Sequence, residues 1–310
     1  MVVTDREPGH AGFVARSLGS RAEPATWDTS LLDGADALVH AAPLGGPLGA
    51  GPARFDVMEA ALEAGVAVVS VADGMSEVEG LLRLDHAARA AGVPLVVGAG
   101  LAPGLSDVLA RHAAESFDEV EEIHVAKAGT GGPACARQHH RALGAEAVDW
   151  RDGQWVQRAG GSGRELCWFP DPVGGRDCYR AGLPDALLLV PAFAGVQRVT
   201  ARVAATRRDR LTSVLPMLRQ PHPEGEVGAV RVEVRGHRGG ARTITVLGAI
   251  DRPAIAAGAV AALSALWAAT GRMSRTGAGG LAELLDAPGP FLAELARRGV
   301  KTAVFDGGRR

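Results

Sequence analysis

Residues 1–100 alternate between short apolar segments and amphipathic helical segments, and this alternation restricts the fold more than any other feature of the sequence. The segments with strand character are 2–4, 22–27, 36–40, 66–71 and 94–97, and those with helical periodicity are 10–18, 55–64 and 76–91. Strands that alternate with helices form parallel sheets whose two faces are covered by the helices. The sequence therefore predicts an α/β fold built on a doubly wound parallel sheet.

The pattern changes after the fifth of these strands. A helical segment at 105–116 and a strand at 121–127 lead into a region rich in glycine, arginine and scattered aromatic residues. Segments at 196–206, 229–235 and 242–248 then alternate between apolar and polar residues with a period of two. Such alternation is typical of antiparallel strands with one solvated face.

These changes predict three parts of the chain. The first α/β domain covers 1–102, and a second α+β domain with an antiparallel sheet covers 103–250. The C-terminal helices within 251–310 are expected to pack back on the first domain.

Charge and cysteine content exclude several classes of protein. The net charge is −2 and the arginines are dispersed, which argues against a nucleic-acid partner. Three cysteines form no C-x-x-C pair, as expected for free thiols in a reducing compartment. Charged residues at 5–7 do not fit a secretion signal, and the uncharged run 253–271 is too rich in alanine and glycine for a membrane span. We therefore expect a cytoplasmic protein that binds no membrane.

The beginning of the sequence lacks a feature that doubly wound dinucleotide-binding sheets share. Such sheets open with a strand, a G-x-G-x-x-G loop and a helix, and an acidic residue about 20 positions later contacts a ribose. Asp5 has the position of that acidic residue relative to its strand. We therefore expect the first βα unit to be missing, through a start about 25–35 residues further upstream or through a true loss of cofactor binding. The missing strand would be central, so we predict a gap in the sheet or an unusual direct pairing of its neighbours.

Two other glycine-rich runs do not replace that loop. The run 98–104 follows a strand and opens a helix, but its spacing differs from the phosphate-binding pattern and Pro103 lacks an amide donor. The run 45–51 contains prolines and is predicted to be a surface loop.

Several motifs together resemble the saccharopine dehydrogenase-like family of NAD(P)-dependent oxidoreductases. They cover the first third of the chain and its end: DALVHAAP at 36–43, AALEAGV at 60–66, Asp73 after the next strand, GAGLAPGLS at 98–106 and FLAELARRGV at 291–300. The resemblance implies a Rossmann-type sheet and hydride transfer between NAD or NADP and a C–N or C=O bond of a small carboxylate-bearing substrate. It also implies a homodimer formed through the second domain. The alternative is a non-catalytic remnant that acts as a binding protein without a dinucleotide.

The resemblance further assigns cofactor-binding residues at the ends of the parallel strands. The adenine-side ribose would meet Asp5 and Arg6, and the remaining assigned residues are His40, Ala41, Ala42, Pro43, Gly100, Leu101 and Ala102. An acidic residue favours the free hydroxyl of NAD, whereas the adjacent arginine favours the phosphate of NADP, so both cofactors stay open.

Candidate substrate-binding residues lie in the second domain. Arg137 and Arg141 are four residues apart on a predicted helix and form a potential carboxylate clamp, or else a solvated basic face. His140 is the candidate proton donor beside them, and Tyr179 either contributes a phenol or packs in the core. No metal is predicted, because neighbouring histidines of a helix do not share a face and no Cys pair or H-E-x-x-H motif occurs. Nothing around Cys135 in the sequence supports a nucleophilic role.

Overall fold

The computed structural model describes residues 1–44, 54–217, 221–222 and 225–305, so the glycine-rich run 45–51 lies outside the described residues. The helices are α1 (Pro8–Leu18), α2 (Asp56–Glu63), α3 (Met75–Leu82), α4 (Asp85–Ala91), α5 (Leu105–Ala114), α6 (Pro133–Gly144), α7 (Asp185–Leu189), α8 (Arg207–Thr212), α9 (Pro253–Ala269), α10 (Leu281–Leu284) and α11 (Pro288–Arg297). The first strands are β1 (Val2–Thr4), β2 (Glu23–Ala25), β3 (Ala37–His40), β4 (Ala67–Ser70), β5 (Pro94–Val97), β6 (Glu119–Ala128), β7 (Ala147–Arg151) and β8 (Gln154–Arg158). The later strands are β9 (Glu165–Trp168), β10 (Gly175–Arg180), β11 (Arg198–Ala204), β12 (Gly228–Arg238), β13 (Ala241–Asp251), β14 (Gly277–Gly279) and β15 (Lys301–Phe305).

The first domain contains the predicted parallel sheet, with strand order β14-β5-β4-β3. All residues of β4 and β5 are buried, since helices cover both faces of these strands. Val68 and Leu95 belong to the apolar core on one face, and Val69 and Val96 belong to the core on the other. The continuous apolar runs of the sequence follow from this double burial.

The predicted gap in the sheet is present. β1 pairs only with β2 in a separate two-stranded parallel sheet, and β3 is an edge strand of the four-stranded sheet within the described residues. The edges of β1 and β3 are accordingly exposed, with 42% of Val2 and 44% of Val39 accessible to solvent. A doubly wound order would place one further strand between β1 and β3.

The second domain is built around a larger sheet that is mixed rather than antiparallel. Its main order is β15-β13-β12-β6-β11-β10-β9, with β7 paired to β11 and β8 paired to β7. β11 runs parallel to β6 and the other described pairs of this sheet are antiparallel, so the predicted antiparallel sheet is present with one parallel pair. The sequence could not show this, because alternation with period two is the same for either strand direction in a half-buried sheet. α5 packs against the apolar face of β12 and β13.

The C-terminal segment contributes to both sheets. α9, which comprises most of the uncharged run of the sequence, packs against β3 and β4 of the first domain. β14 then adds a parallel strand beside β5, and β15 adds an antiparallel strand beside β13. The segment thus fixes the first domain against the second. Within the described parts of the chain, no helix combines the length and the apolar character that a membrane span requires.

Candidate functional site

Polar side chains converge where the parallel strands end. Asp73 lies in the loop after β4, and the loop 98–104 follows β5. Ligands of open α/β sheets bind at this carboxyl edge of the strands. Helix α6 of the second domain lies against the same edge, so the edge is lined by both domains. Its side chains Cys135 and His139 face Asp73 because residues four apart share one side of a helix.

A cluster of three side chains lies at this edge, with one ligand atom each from Asp73, Cys135 and His139. We call it the Asp–Cys–His cluster. The Sγ atom of Cys135 lies 3.6 Å from Oδ2 of Asp73 and 3.6 Å from Nε2 of His139. The same Nε2 and Oδ2 atoms are 3.5 Å apart. The side chain of His139 is 9% exposed and that of Asp73 is 25% exposed, so solvent reaches the cluster from the aspartate side.

The electrostatics of the cluster favour charged groups despite their burial. Burial by itself lowers the pKa of His139, but the neighbouring Cys135 and Asp73 outweigh it and raise that pKa to about 9. Burial by itself raises the pKa of Asp73, but His139, Lys127 and Cys135 lower it below its usual value. Cys135 and Asp73 thus favour the protonated form of the His139 imidazole, although it is buried.

Behind this cluster lies a buried lysine. Lys127, at the end of β6, is 3% exposed, and its Nζ donates a hydrogen bond of 2.7 Å to the carbonyl oxygen of Ala102. Its positive charge lowers the pKa values of Asp73 and Asp185. Buried charges are stable only when they are paired and hydrogen-bonded, so Lys127 neutralises the carboxylates around it.

Two further buried carboxyl groups complete the polar interior. Burial raises the pKa of Asp107 well above its usual value, and neighbouring Asp185 raises it further. Burial also raises the pKa of Asp185. Both carboxyl oxygens of Asp185 and the Oδ2 of Asp107 are buried without a hydrogen-bond partner among the described residues. Such atoms normally have a partner, which makes this interior suited to a polar ligand or to bound water.

The structure brings several of the predicted cofactor-binding residues together. Arg6, after β1, donates a hydrogen bond of 3.2 Å from Nη2 to the carbonyl oxygen of Pro43, after β3, and so bridges the gap between the two sheets. Asp5 accepts hydrogen bonds of 2.9 Å from the amide of Glu7 and from Nδ1 of His10. The Glu7 amide is the main cause of the lowered pKa of Asp5. These residues form one continuous edge beside the split in the sheet.

His40, Ala41 and Ala42 continue this edge from β3. Burial lowers the pKa of His40, and the charge of Arg6 lowers it further, so the imidazole is neutral at pH 7. Its Nδ1 is buried without a partner among the described residues. His40 is therefore available as a neutral hydrogen-bonding group.

The loop 98–104 forms a turn that internal hydrogen bonds hold in part. The amide of Gly100 donates to the carbonyl oxygens of Gly98 and Pro103, and the amide of Leu105 donates to the carbonyl oxygen of Gly100. That this run does not replace the missing glycine loop stays a prediction from its spacing and from Pro103. Within the loop, Leu101 and Ala102 are buried.

The predicted substrate-binding residues do not act as one group. Arg137 is half-buried, and its Nε has no partner among the described residues. His140 is turned away from the cluster, with Nε2 2.9 Å from the carbonyl oxygen of Leu215, and Nη2 of Arg141 donates to Oε1 of Gln138 at 3.3 Å. Tyr179 is 1% exposed and packs in an apolar core, with the guanidinium of Arg210 4.5 Å above its ring.

Some of the side chains that converge at the carboxyl edge were not predicted from the sequence. His139 rather than its neighbour His140 faces the carboxyl edge, and Lys127 and Asp185 were not considered as site residues. Two signals were available. Cys135 and His139 have the i, i+4 spacing of side chains that share a helix face, and Lys127 stands in an otherwise apolar stretch of a strand.

No protein-family model and no curated protein sequence matches the chain. Among solved structures, the chain is similar to apo saccharopine dehydrogenase (L-Glu forming) from Saccharomyces cerevisiae, with a TM-score of 0.67, 12% identity, and coverage of 98% of this chain and 94% of that one. Amine dehydrogenase from Mycobacterium smegmatis matches with a TM-score of 0.47, 11% identity, and coverage of 93% of this chain and 90% of that one. At these identities the yeast enzyme shows a shared fold, and the weaker match carries no argument.

Proposed function

We propose that the protein is an NAD(P)-dependent oxidoreductase that transfers a hydride at a C–N or C=O bond of a small carboxylate-bearing substrate. The observation that carries this proposal is the convergence, at the carboxyl edge of the parallel sheet, of β3-end residues with a buried polar group from the second domain. The fold shared with a saccharopine dehydrogenase supports the proposal.

The described residues fit two parts of a dinucleotide. Asp5 and Arg6 would contact the adenine-side ribose, while His40–Pro43 and Gly100–Ala102 would line the nicotinamide side. The described residues contain no strand followed by a G-x-G-x-x-G loop that would cradle the pyrophosphate. A bound nicotinamide would supply or accept the hydride.

The chain's own residues would position and neutralise the substrate. Arg137 carries a buried guanidinium nitrogen without a partner among the described residues, and it would bind the substrate carboxylate. Lys127 balances the charge of Asp73, so that an anionic substrate does not meet a net negative wall. The interior behind the site is closed to bulk water, since Asp107 and Asp185 are fully buried there.

Removal of the Arg6 guanidinium is expected to weaken NADPH binding by about 10-fold or more, the range for one charge-assisted hydrogen bond. NADH binding should change less, since NADH lacks the phosphate that an arginine would contact. Isothermal titration calorimetry of the wild-type chain, Arg6→Ala and Arg16→Ala with both nucleotides measures this. Arg16 is an exposed arginine of α1 and serves as the matched control.

The second candidate function, a binding protein without a dinucleotide, is favoured by the split sheet and by the lack, among the described residues, of a glycine loop after a strand that would cradle a pyrophosphate. The same titration separates the two. If neither nucleotide produces binding heat with the wild-type chain, the oxidoreductase proposal is wrong for this chain and the second candidate takes its place.

We also propose that the protein is a homodimer formed through the outer face of the second sheet. Residues of both charges line this face, among them Glu122, Arg202, Glu233 and Arg235, as an isologous contact requires. Ile244 on β13 lies in register with Arg235 and is 58% exposed, although it is a large apolar residue. An apolar side chain surrounded by both charges suits a protein–protein interface.

Ile244→Asp is accordingly expected to convert the dimer to a monomer, because burial of a carboxylate in the interface is costly and the apolar contact of the isoleucine is lost. Light scattering coupled to size-exclusion chromatography measures the mass. Ile255→Asp is the control, since Ile255 on α9 is 55% exposed on another part of the surface. A monomeric wild-type chain, or a dimer that tolerates Ile244→Asp, would contradict this interface.

A further inference from the structure

The Asp–Cys–His cluster combines a sulfur, a nitrogen and an oxygen donor at one point. Two of the donors, Cys135 and His139, are held four residues apart on α6, and Asp73 comes from the loop after β4. Thiolate, imidazole and carboxylate are the three protein ligands of zinc, and catalytic zinc sites use three of them and leave one position open. Among the described residues, this is the group whose ligand atoms lie close enough together to hold a metal ion.

The spacing of the three atoms matches one face of a tetrahedron. Zinc–ligand distances of about 2.0–2.3 Å at tetrahedral angles place the ligand atoms about 3.3–3.6 Å from one another. The observed separations are 3.6, 3.6 and 3.5 Å and join the same three atoms, Sγ of Cys135, Nε2 of His139 and Oδ2 of Asp73. Little movement is therefore needed to coordinate an ion.

Unpartnered atoms around the cluster provide independent support. The second ring nitrogen of His139, Nδ1, is buried without a hydrogen-bond partner among the described residues. Both carboxyl oxygens of Asp185 are also buried without a partner there. Ligating histidines usually direct the second ring nitrogen to a carboxylate, a carbonyl group or water, and the buried Nδ1 of His139 is left without such a partner among the described residues.

We propose that Asp73, Cys135 and His139 bind a zinc ion, with a fourth position open to water or to an oxygen atom of a small ligand. The open position is on the side of Asp73, whose side chain is 25% exposed, whereas that of His139 is 9% exposed. Binding replaces the proton of the cluster, because the sulfur ligand is a thiolate and the imidazole ligand is neutral. The site is independent of dinucleotide binding and joins the two domains through one ion.

Cobalt(II) and zinc titrations of the chelator-treated chain, prepared without a histidine tag, test this proposal. We expect one equivalent of Co²⁺ to produce the intense visible bands of a tetrahedral ion together with a thiolate-to-cobalt charge-transfer band. Zinc should displace the cobalt and abolish both signals. Thermal unfolding provides a second readout, because an ion that binds only the folded state raises the midpoint.

Matched variants localise the ion. Cys135→Ser and His139→Ala are expected to weaken Zn²⁺ binding by more than about 100-fold, the upper end for loss of an outer-shell partner. His140→Ala and Cys167→Ser remove the neighbouring histidine and a thiol outside the cluster, and both should bind like the wild type. Circular dichroism verifies that each variant is folded, and His139→Gln is the substitute if His139→Ala unfolds.

The metal titrations test the zinc site independently of nucleotide binding. A wild-type chain that takes up no stoichiometric Zn²⁺ overturns it, and so does a cobalt complex that lacks the thiolate band. Retention of wild-type affinity in Cys135→Ser would place the ion elsewhere and equally overturn it. In each of these cases the cluster is a hydrogen-bonded triad that holds a proton, and the calorimetric test of the oxidoreductase proposal is unaffected.

Discussion

Gly104→Ala is expected to reduce the free energy of unfolding by about 2–6 kcal/mol, from backbone strain of about 1–3 kcal/mol and an overpacking cost of about 1–3 kcal/mol. Gly104 has a φ of +119°, a region that residues with a side chain rarely adopt. A Cβ atom at this position would lie 2.4 Å from the amide nitrogen and carbonyl oxygen of Gly100 and 2.5 Å from the carbonyl oxygen of Gly98.

The atoms that a Cβ would meet are backbone atoms, so no side chain can rotate away. The loop would have to move, and with it the hydrogen bond from Leu105 to Gly100 that starts α5. The carbonyl group of Ala102, which accepts the hydrogen bond of Lys127, belongs to the same loop. A change at Gly104 therefore reaches the polar interior of the site.

Gly65→Ala is the matched control for this effect. Gly65 also has a positive φ, +69°, but no atom lies within 4 Å of a Cβ built there. Only the conformational cost of about 1–2 kcal/mol for a left-handed residue remains. Urea denaturation of both variants measures the difference. Equal losses at the two positions would show that the close approach in the loop 98–104 does not exist.

The parallel sheet was predictable because its central strands can be recognised from short apolar segments of the sequence. β4 and β5 are apolar at every position, since both faces are buried, and each is bounded by a glycine or a helix within a few residues. The gap between β1 and β3 was predictable for a different reason. Strand order in a doubly wound sheet fixes which strand lies between β1 and β3, and no described strand occupies that place.

The second sheet was harder to predict. β8 and β9 are edge strands with few buried residues, and the Gly- and Arg-rich segments between them carry no apolar periodicity. β14 and β15 are short and lie far along the chain from the strands that they join. Their pairing depends on the folding of the C-terminal segment across both domains, which no local pattern encodes.

The site depends on contacts between distant parts of the chain. Asp73 and Cys135 are 62 positions apart, and their contact follows from the docking of α6 on the carboxyl edge of the first sheet. The periodicity of α6 showed which side chains share a face, but two adjacent histidines lie on different faces and the sequence does not show which face is docked. The docking of α6 directs His139 to Asp73 and His140 to the carbonyl oxygen of Leu215, and the role of His140 as a proton donor stays a prediction.

Lys127→Met is expected to destabilise the protein by about 3–5 kcal/mol, the usual cost of removing one partner of a buried charge group. Lys127 occupies the core-facing row of β6 that also contains Ile123 and Val125, and it is 3% exposed. Methionine fits the same volume, so the loss would come from charge and hydrogen bonding rather than from a cavity. The carbonyl group of Ala102 would lose its donor, and Asp73 and Asp185 would lose the cation that lowers their pKa values.

Two comparisons isolate this electrostatic effect. Lys127 and Lys301 are the two lysines of the sequence, and Lys301 is exposed, so Lys301→Met should change stability by less than about 0.5 kcal/mol. The double variant Lys127→Met with Asp185→Asn should recover about 1–3 kcal/mol, because replacing both members of a buried charged group is far less costly than replacing one. Urea denaturation of the wild type, Lys127→Met, Asp185→Asn and the double variant, all in the presence of a chelator, gives the coupling energy between Lys127 and Asp185. A double variant whose loss equals the sum of the single losses would show that Lys127 does not neutralise Asp185, and the stabilising role of the lysine would then lie in its hydrogen bond to Ala102 alone.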